Sequence, residues 1–446
     1  MNRTLYPRLV EWSKTATRKP LLLRGARQVG KSWLIRKLGA SFKSFVEINF
    51  EEQPEIGKFF EGNLDPEQLV SLLSNYLGKQ IIPGETLLFL DEIQACPRAI
   101  TSLRYFYEKC PALHVIGAGS LIESELQKVS TPVGRVSFLY LYPLSFEEFL
   151  MAMGRHDLND FLDENAQAPL SSPLHELLLG FVRDYTLVGG MPAVVDEFIR
   201  TRNMDNCQRM QGDLIETYRA DFAKYATRSQ IKYLDKVFDA VPVQGGRKFK
   251  YSNVSREVKS RDLATALDLL VMAGVVHKVL HTNANGLPLG AEANPTRFKT
   301  LIFDLGISQR LMGLDIKPLF LDPDITTINR GALAESFVGL ELIAHGNPCE
   351  KGQIHYWHRE ARASNAEVDY IIARNGKIIP LDVKSGSEGR MYSLQLFMNE
   401  KKVAHGYRLS KHNYSEFNNI STIPFYAIGP FLRRMDRTTP ECERTS

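Results

Sequence analysis

"KPLLLRGARQVGKSWLIRKLG", residues 19–39, joins a short apolar run to a glycine-bounded loop and then to an amphipathic pattern. Leu21, Leu22 and Leu23 read as a buried strand. "GARQVGKS" matches G-x-x-x-x-G-K-[ST] in the strand–loop–helix setting that the pattern requires. Gly25 and Gly30 let the chain wrap its backbone N–H groups, those of Arg27, Gln28 and Val29 among them, around phosphate oxygens. The start of the following helix adds a favourable field for an anion. Lys31 is then expected to reach the β and γ phosphates of a nucleotide, and Ser32 to ligate Mg²⁺.

A second stretch supports the first. "TLLFLDEIQ", residues 86–94, is an apolar strand that ends on Asp91-Glu92. Beside a phosphate loop, Asp91 is expected in the Mg²⁺ shell and Glu92 at the attacking water; by itself such a pair could equally cap a strand end. "FVEINF" (45–50), "HVIGAG" (114–119) and "SFLYLY" (137–142) supply three more strands. Five runs with helical spacers predict a parallel sheet covered on both faces, an α/β architecture. Ser120, just past the fourth run, is a candidate γ-phosphate sensor or a helix N-cap. Arg135 is a candidate finger for a neighbouring subunit's nucleotide, with an ordinary surface arginine as the other reading.

Far along the chain, "AEVDYIIARNGKIIPLDVKSG" (366–386) predicts a hairpin turning on Asn375-Gly376. That register sets Asp369 opposite Asp382 and Glu367 opposite Lys384, with Val368, Tyr370, Ile372, Ile379, Leu381 and Val383 on a core face. Facing carboxylates repel. A divalent ion, Mg²⁺ or Mn²⁺, would remove the penalty; a solvated polar face is the alternative.

The 446 residues are 44% hydrophobic and 24% charged, an ordinary globular composition with room for about three domains. No apolar run approaches a membrane span, and the first residues lack a signal-peptide pattern. Cys96, Cys110, Cys207, Cys349 and Cys442 have no paired spacing. A cytoplasmic protein is therefore expected, with no membrane partner. Residues 230–312 hold 12 Lys and Arg against 7 Asp and Glu, which points to a polyanion. Within them "RKFKYSNVSREVKSRDLATALDLLVMAGVVHKVLHT" (247–282) reads as helix, turn, helix, strand. Leu263, Ala266, Leu267 and Leu270 form its core stripe, and Arg256, Lys259 and Arg261 precede it. Such a helix could enter a DNA groove, or the segment could be a lid packed against protein.

The order "GARQVGKS … LLFLDEIQ … VIGAGSLIES … GRVSFLYLYPLSFEEFL … LVGGMPAVV" resembles the prokaryotic AAA+-like P-loop ATPases that carry a C-terminal domain of unknown function with a PD-(D/E)XK nuclease-like fold. The resemblance covers nearly the whole chain. It implies a P-loop core over 1–153, a helical lid or linker over 171–229, a winged-helix-like domain over 230–312 and a restriction-endonuclease-like α/β domain over 326–435. It implies ATP and Mg²⁺ as ligands, and DNA as a partner through residues 245–261 and the C-terminal domain; a homo-oligomer is left open. It also completes the tail as Glu335, Asp369 and Asp382-x-Lys384, with Glu341 the other candidate on the same helix. Asp369 and Asp382 would bind metal, Glu335 would assist them, Lys384 would orient the water, and Glu367 would pair with Lys384. Two functions follow: an ATPase tied to a DNA-cleaving tail, or an ATP-dependent switch or scaffold whose tail only binds.

Overall fold

The computed structural model describes residues 1–120, 134–165, 168–224, 226–321, 330–361, 364–385 and 391–437. The chain divides into two compact units. The first takes residues 1–143 with 268–275 and 347–351; the second takes 144–267, 276–346 and 352–446.

The first unit is built on five parallel strands: β1 (Leu21–Arg24), β2 (Ser44–Asn49), β3 (Thr86–Asp91), β4 (His114–Gly119) and β5 (Ser137–Tyr140). Their spatial order is β2-β3-β4-β1-β5. Every residue of β3 and β4 is buried, as expected for strands sandwiched between helices, which therefore read as continuous apolar runs. Helices Lys31–Gly39, Pro66–Leu77 and Pro97–Lys109 lie in the same unit. Asp65 starts the second of these by accepting the backbone N–H groups of Glu67 and Gln68, Pro66 suits its first turn, and Gly78 at φ 63° ends it. Leu69, Leu73, Leu103 and Phe106 join Leu22, Val46, Ile48, Leu88 and Leu90 in one core. Each such side chain contributes roughly 1.5–3 kcal/mol of burial. The expected parallel P-loop sheet is thus present.

The second unit holds a mixed sheet of eight strands: β6 (Val276–Thr282), β7 (Ala293–Ile302), β8 (Ile354–Ala361), β9 (Ser364–Arg374), β10 (Lys377–Lys384), β11 (Gly406–Ser410), β12 (Ser415–Phe417) and β13 (Ile420–Pro424). The order is β12-β13-β11-β10-β9-β8-β6-β7. β6 pairs in parallel with β8, so the β6–β7 hairpin forms one end of the same sheet as β8 to β13. Pairing across so long a sequence gap leaves no local signal. The helix, turn, helix, strand order itself is present as Arg228–Val243, Tyr251–Asn253, Ser260–Met272 and β6, and Leu263, Ala266, Leu267 and Leu270 are all buried. On the Arg330–Ala344 helix, Phe337 is buried and Leu333 and Leu340 are half-buried. Glu335 and Glu341 take the inner positions instead.

Asn375 (φ 48°) and Gly376 (φ 70°) form the predicted left-handed turn, and Arg374 pairs with Lys377 through to Tyr370 with Leu381. The strict alternation expected of β9 fails. The pairing with β8 shifts between Val368 and Ile371, and both residues join one core cluster with Ala366. A bulge inserts one residue at Asp369-Tyr370. It leaves Ala366 and Val368 on one face and carries Tyr370 to the other, where its hydroxyl donates to the Glu335 carbonyl at 2.7 Å. Among the described residues no helix is long and apolar enough to cross a membrane.

Candidate functional site

The phosphate loop leaves the last residue of β1. Gly25 (φ 151°), Gln28 (φ 60°) and Gly30 (φ 95°) turn it back on itself. Gly25 is required on two counts: its φ, and a neighbour that would lie 2.1 Å from any Cβ, the Leu141 carbonyl oxygen. Val29 is wholly buried, and its carbonyl accepts from Arg3 Nη1 at 2.7 Å. Arg27 turns its guanidinium to Glu51 at 2.9 Å, so it can serve the loop through its backbone. Lys31 opens the helix and is buried; its ammonium donates to the carbonyls of Gly25 at 2.9 Å and Ala26 at 2.8 Å. Burial lowers its pKa to about 8, against the pull of Glu92 and Asp91.

Strand order brings the second motif to the first. β3 and β1 flank β4, so their C-terminal ends are next-but-one neighbours. Ser32 Oγ–H donates to Asp91 Oδ2 at 2.7 Å. The other Asp91 oxygen accepts the Glu92 backbone N–H at 3.0 Å. Burial raises the Asp91 carboxyl above its ordinary range. Glu92 takes a left-handed conformation (φ 47°), and its carboxylate accepts from Gln94 Nε2 at 2.5 Å. A hydroxyl and a carboxylate in contact, with a buried ammonium alongside, are the hard-oxygen and cationic groups that suit a Mg²⁺–nucleotide. Ser120 follows β4 at the same edge of the sheet and is half-buried. Arg135 lies elsewhere. It precedes β5, whose Ser137 pairs with Leu21 at the start of β1, and it binds Glu108. In a parallel sheet that is the edge away from the loop, so Arg135 does not serve this chain's own nucleotide site.

In the second unit, the hairpin acids meet a residue that the sequence did not bring forward. Lys299 on β7 is 1% exposed, and its Nζ lies 2.6 Å from Glu335 Oε1, 2.5 Å from Glu367 Oε1 and 3.6 Å from Asp369 Oδ1. Burial alone would lower the pKa of this amine, but Glu335, Asp369 and Glu367 reverse the effect and raise it. Three acids around one ammonium leave an excess of negative charge, and buried Glu335 is pushed up to about 8. Asp369 Oδ2 accepts the Val383 backbone N–H at 2.8 Å, which turns it toward β10. There it stands by Asp382, whose carboxyl is raised to about 7 by burial and by Asp369. Lys384 lies 2.8 Å from Asp382.

Several expectations change here. Glu367 pairs with Lys299 rather than Lys384, because the β9 bulge disrupts the simple cross-strand register. Glu335, not Glu341, joins the hairpin; Glu341 accepts the Phe146 N–H at 2.9 Å and pairs with His345 at 3.3 Å. The divalent ion expected between the acids meets an ammonium among them. Among the described residues no group of three or more His, Cys, Asp or Glu side chains is arranged to hold a metal ion.

Residues 17–150 match the AAA domain family AAA_14. Over these residues the chain is similar to an AAA domain, and its parallel sheet with the phosphate loop is a P-loop fold. Residues 180–317 and 330–428 match two domains of unknown function, DUF8612 and DUF4143. Among solved structures it is similar to the Walker-type ATPase of Pyrococcus abyssi, at 17% identity and TM-score 0.44 over 70% of this chain and 95% of that one. It is also similar to the Aeropyrum pernix ORC1 protein in complex with DNA, at 15% identity and TM-score 0.28 over 69% and 91%. A third is Drosophila ORC bound to DNA, at 14% identity and TM-score 0.26 over 70% and 85%. No curated protein matches the chain.

Sequence reasoning missed Arg3 and Lys299. Arg3 ties down the loop from the N-terminal segment and carries no motif. Lys299 had one available signal, a lysine midway through the apolar end of "RFKTLIF".

Proposed function

We propose that this protein hydrolyses Mg·ATP and uses its second unit to bind DNA, through residues 245–261 and the C-terminal sheet. The observation that carries the nucleotide half is the 2.7 Å contact of Ser32 with Asp91 beside buried Lys31. Mg²⁺, when bound, supplies charge that offsets the phosphates. Ser32 and Asp91 would hold it. Lys31 would exchange two loop carbonyls for phosphate oxygens, and Glu92 would orient and polarise the water, leaving Gln94. Ser120 is proposed as a γ-phosphate sensor.

The DNA half is supported by a concavity of about 940 Å³ lined by Lys236, Arg247, Lys248, Lys250 and Arg256 against a single acid, Asp239. Gln244, also in its wall, accepts from the Lys250 N–H at 2.9 Å, while its buried Nε2 has no acceptor among the described residues. Lys259 and Arg261 are exposed on the adjoining segment and would extend the track. The test is DNA binding by anisotropy across a salt series. Replacing Arg247, Lys250 and Arg256 with Ala should reduce the log–log slope by about three units, at ~0.9 per phosphate contact. An unchanged slope would remove DNA from the proposal and leave the ATPase.

For the tail, binding without cleavage is favoured over metal-dependent cleavage by Glu335, Asp369, Asp382 and Lys384. The observation that favours it is Lys299 between the carboxylates.

A further inference from the structure

We infer that Lys299 is the resident cation of the C-terminal acid cluster, and that its ammonium stands where a divalent ion would have to sit. The inference is independent of the ATPase reading and of whether DNA is the partner. A divalent site needs carboxylate oxygens that converge on a shared point with positions left open. Here each of the four acids has an oxygen already committed. Glu335 Oε1 and Glu367 Oε1 close on Lys299 Nζ at 2.6 and 2.5 Å. Asp369 turns Oδ2 to the Val383 N–H at 2.8 Å, and Asp382 pairs with Lys384 at 2.8 Å.

Nor is the amine poised to swing away. Lys299 is 1% exposed, and its backbone is held on one side by Val279 and on the other by Lys248. Its ammonium also lies 5.2 Å from the centre of the Tyr356 ring, within cation–π range. A doubly charged ion brought against that ammonium would be repelled by it. The ammonium already offsets the mutual repulsion of the acids, which was the reason to expect a metal. The cluster thus has the acids of a metal-dependent phosphodiesterase with a lysine in place of the ion.

The test counts bound Mn²⁺ by electron paramagnetic resonance on the full chain without nucleotide. Wild type and Asp369→Asn should bind the same number of ions, because no Mn²⁺ depends on Asp369 while Lys299 is present. Lys299→Met should gain one Mn²⁺ per chain, and Lys299→Met/Asp369→Asn should lose it again. Loss of an ion from wild type on Asp369→Asn alone would overturn the inference, and so would a folded Lys299→Met that gains none. If Lys299→Met does not fold, Lys299→Gln takes its place, and the comparison of wild type with Asp369→Asn stands unaided.

Discussion

Replacing Lys299 by Met should be among the costliest single changes in the second unit. Met reproduces the lysine stem up to the amine, so most of the packing is kept and the charged group is what is lost. With Glu335 ionised, above about pH 8, the gross attraction across 2.6 Å is about 6 kcal/mol at an effective dielectric of ~20. Returning the buried amine to water on unfolding offsets part of it, while Glu335 and Asp369 remain buried with no cation between them. Removal of one partner from a buried pair costs ~3–5 kcal/mol, and that is the expected loss. Glu367 adds little because its side chain is 37% exposed. The assay is urea unfolding read by hydrogen exchange in β7, β8 and β9, since a chain of two units need not unfold in one step. The double variant Lys299→Met/Glu335→Gln should be more stable than Lys299→Met alone, because the amide leaves no stranded charge. A loss below ~1 kcal/mol in the single variant, or a double variant less stable than the single, would refute the reasoning.

Stability of the second unit should fall as pH rises from about 5 to 8. Glu335 at about 8 and Asp382 at about 7 are raised above ordinary carboxylates, so the folded state binds more protons than the unfolded one. The contribution is complete below the ordinary carboxylate range and is lost as pH climbs toward the folded values; thermal melts should show Glu335→Gln with a flatter profile, and an equal slope in both would count against it. Gly25→Ala should lower ATP affinity at least tenfold, because its Cβ would meet the Leu141 oxygen at 2.1 Å and distort the loop; titration with a fluorescent ATP analogue measures this, and unchanged affinity would contradict it.

What could be read from the sequence and what could not divide along physical lines. The phosphate loop, Asp91 and the Asn375-Gly376 turn are local: a few adjacent residues fix their conformation, and the structure keeps them. The bulge at Asp369-Tyr370 leaves the strand's composition unchanged, so the period-two pattern hides it. Lys299 lies on β7, separated from β9 in the sheet by β8 and β6, and no short stretch encodes its contact with the hairpin acids. Arg135 precedes β5 at the edge away from this chain's loop, as a finger for a neighbouring subunit or a surface arginine could. The acids themselves were legible; the cation that accompanies them required the topology.

The most direct test of the nucleotide site is ATP hydrolysis by the full chain and by Glu92→Gln, with ATP binding measured on the same samples. Glu92 lies beside the Ser32–Asp91 pair without taking part in it, so binding should persist in the variant while turnover falls at least a hundredfold. Turnover undiminished in Glu92→Gln at equal occupancy would contradict the assignment of Glu92 to the attacking water, and an absence of ATP binding in the unaltered chain would contradict the account as a whole.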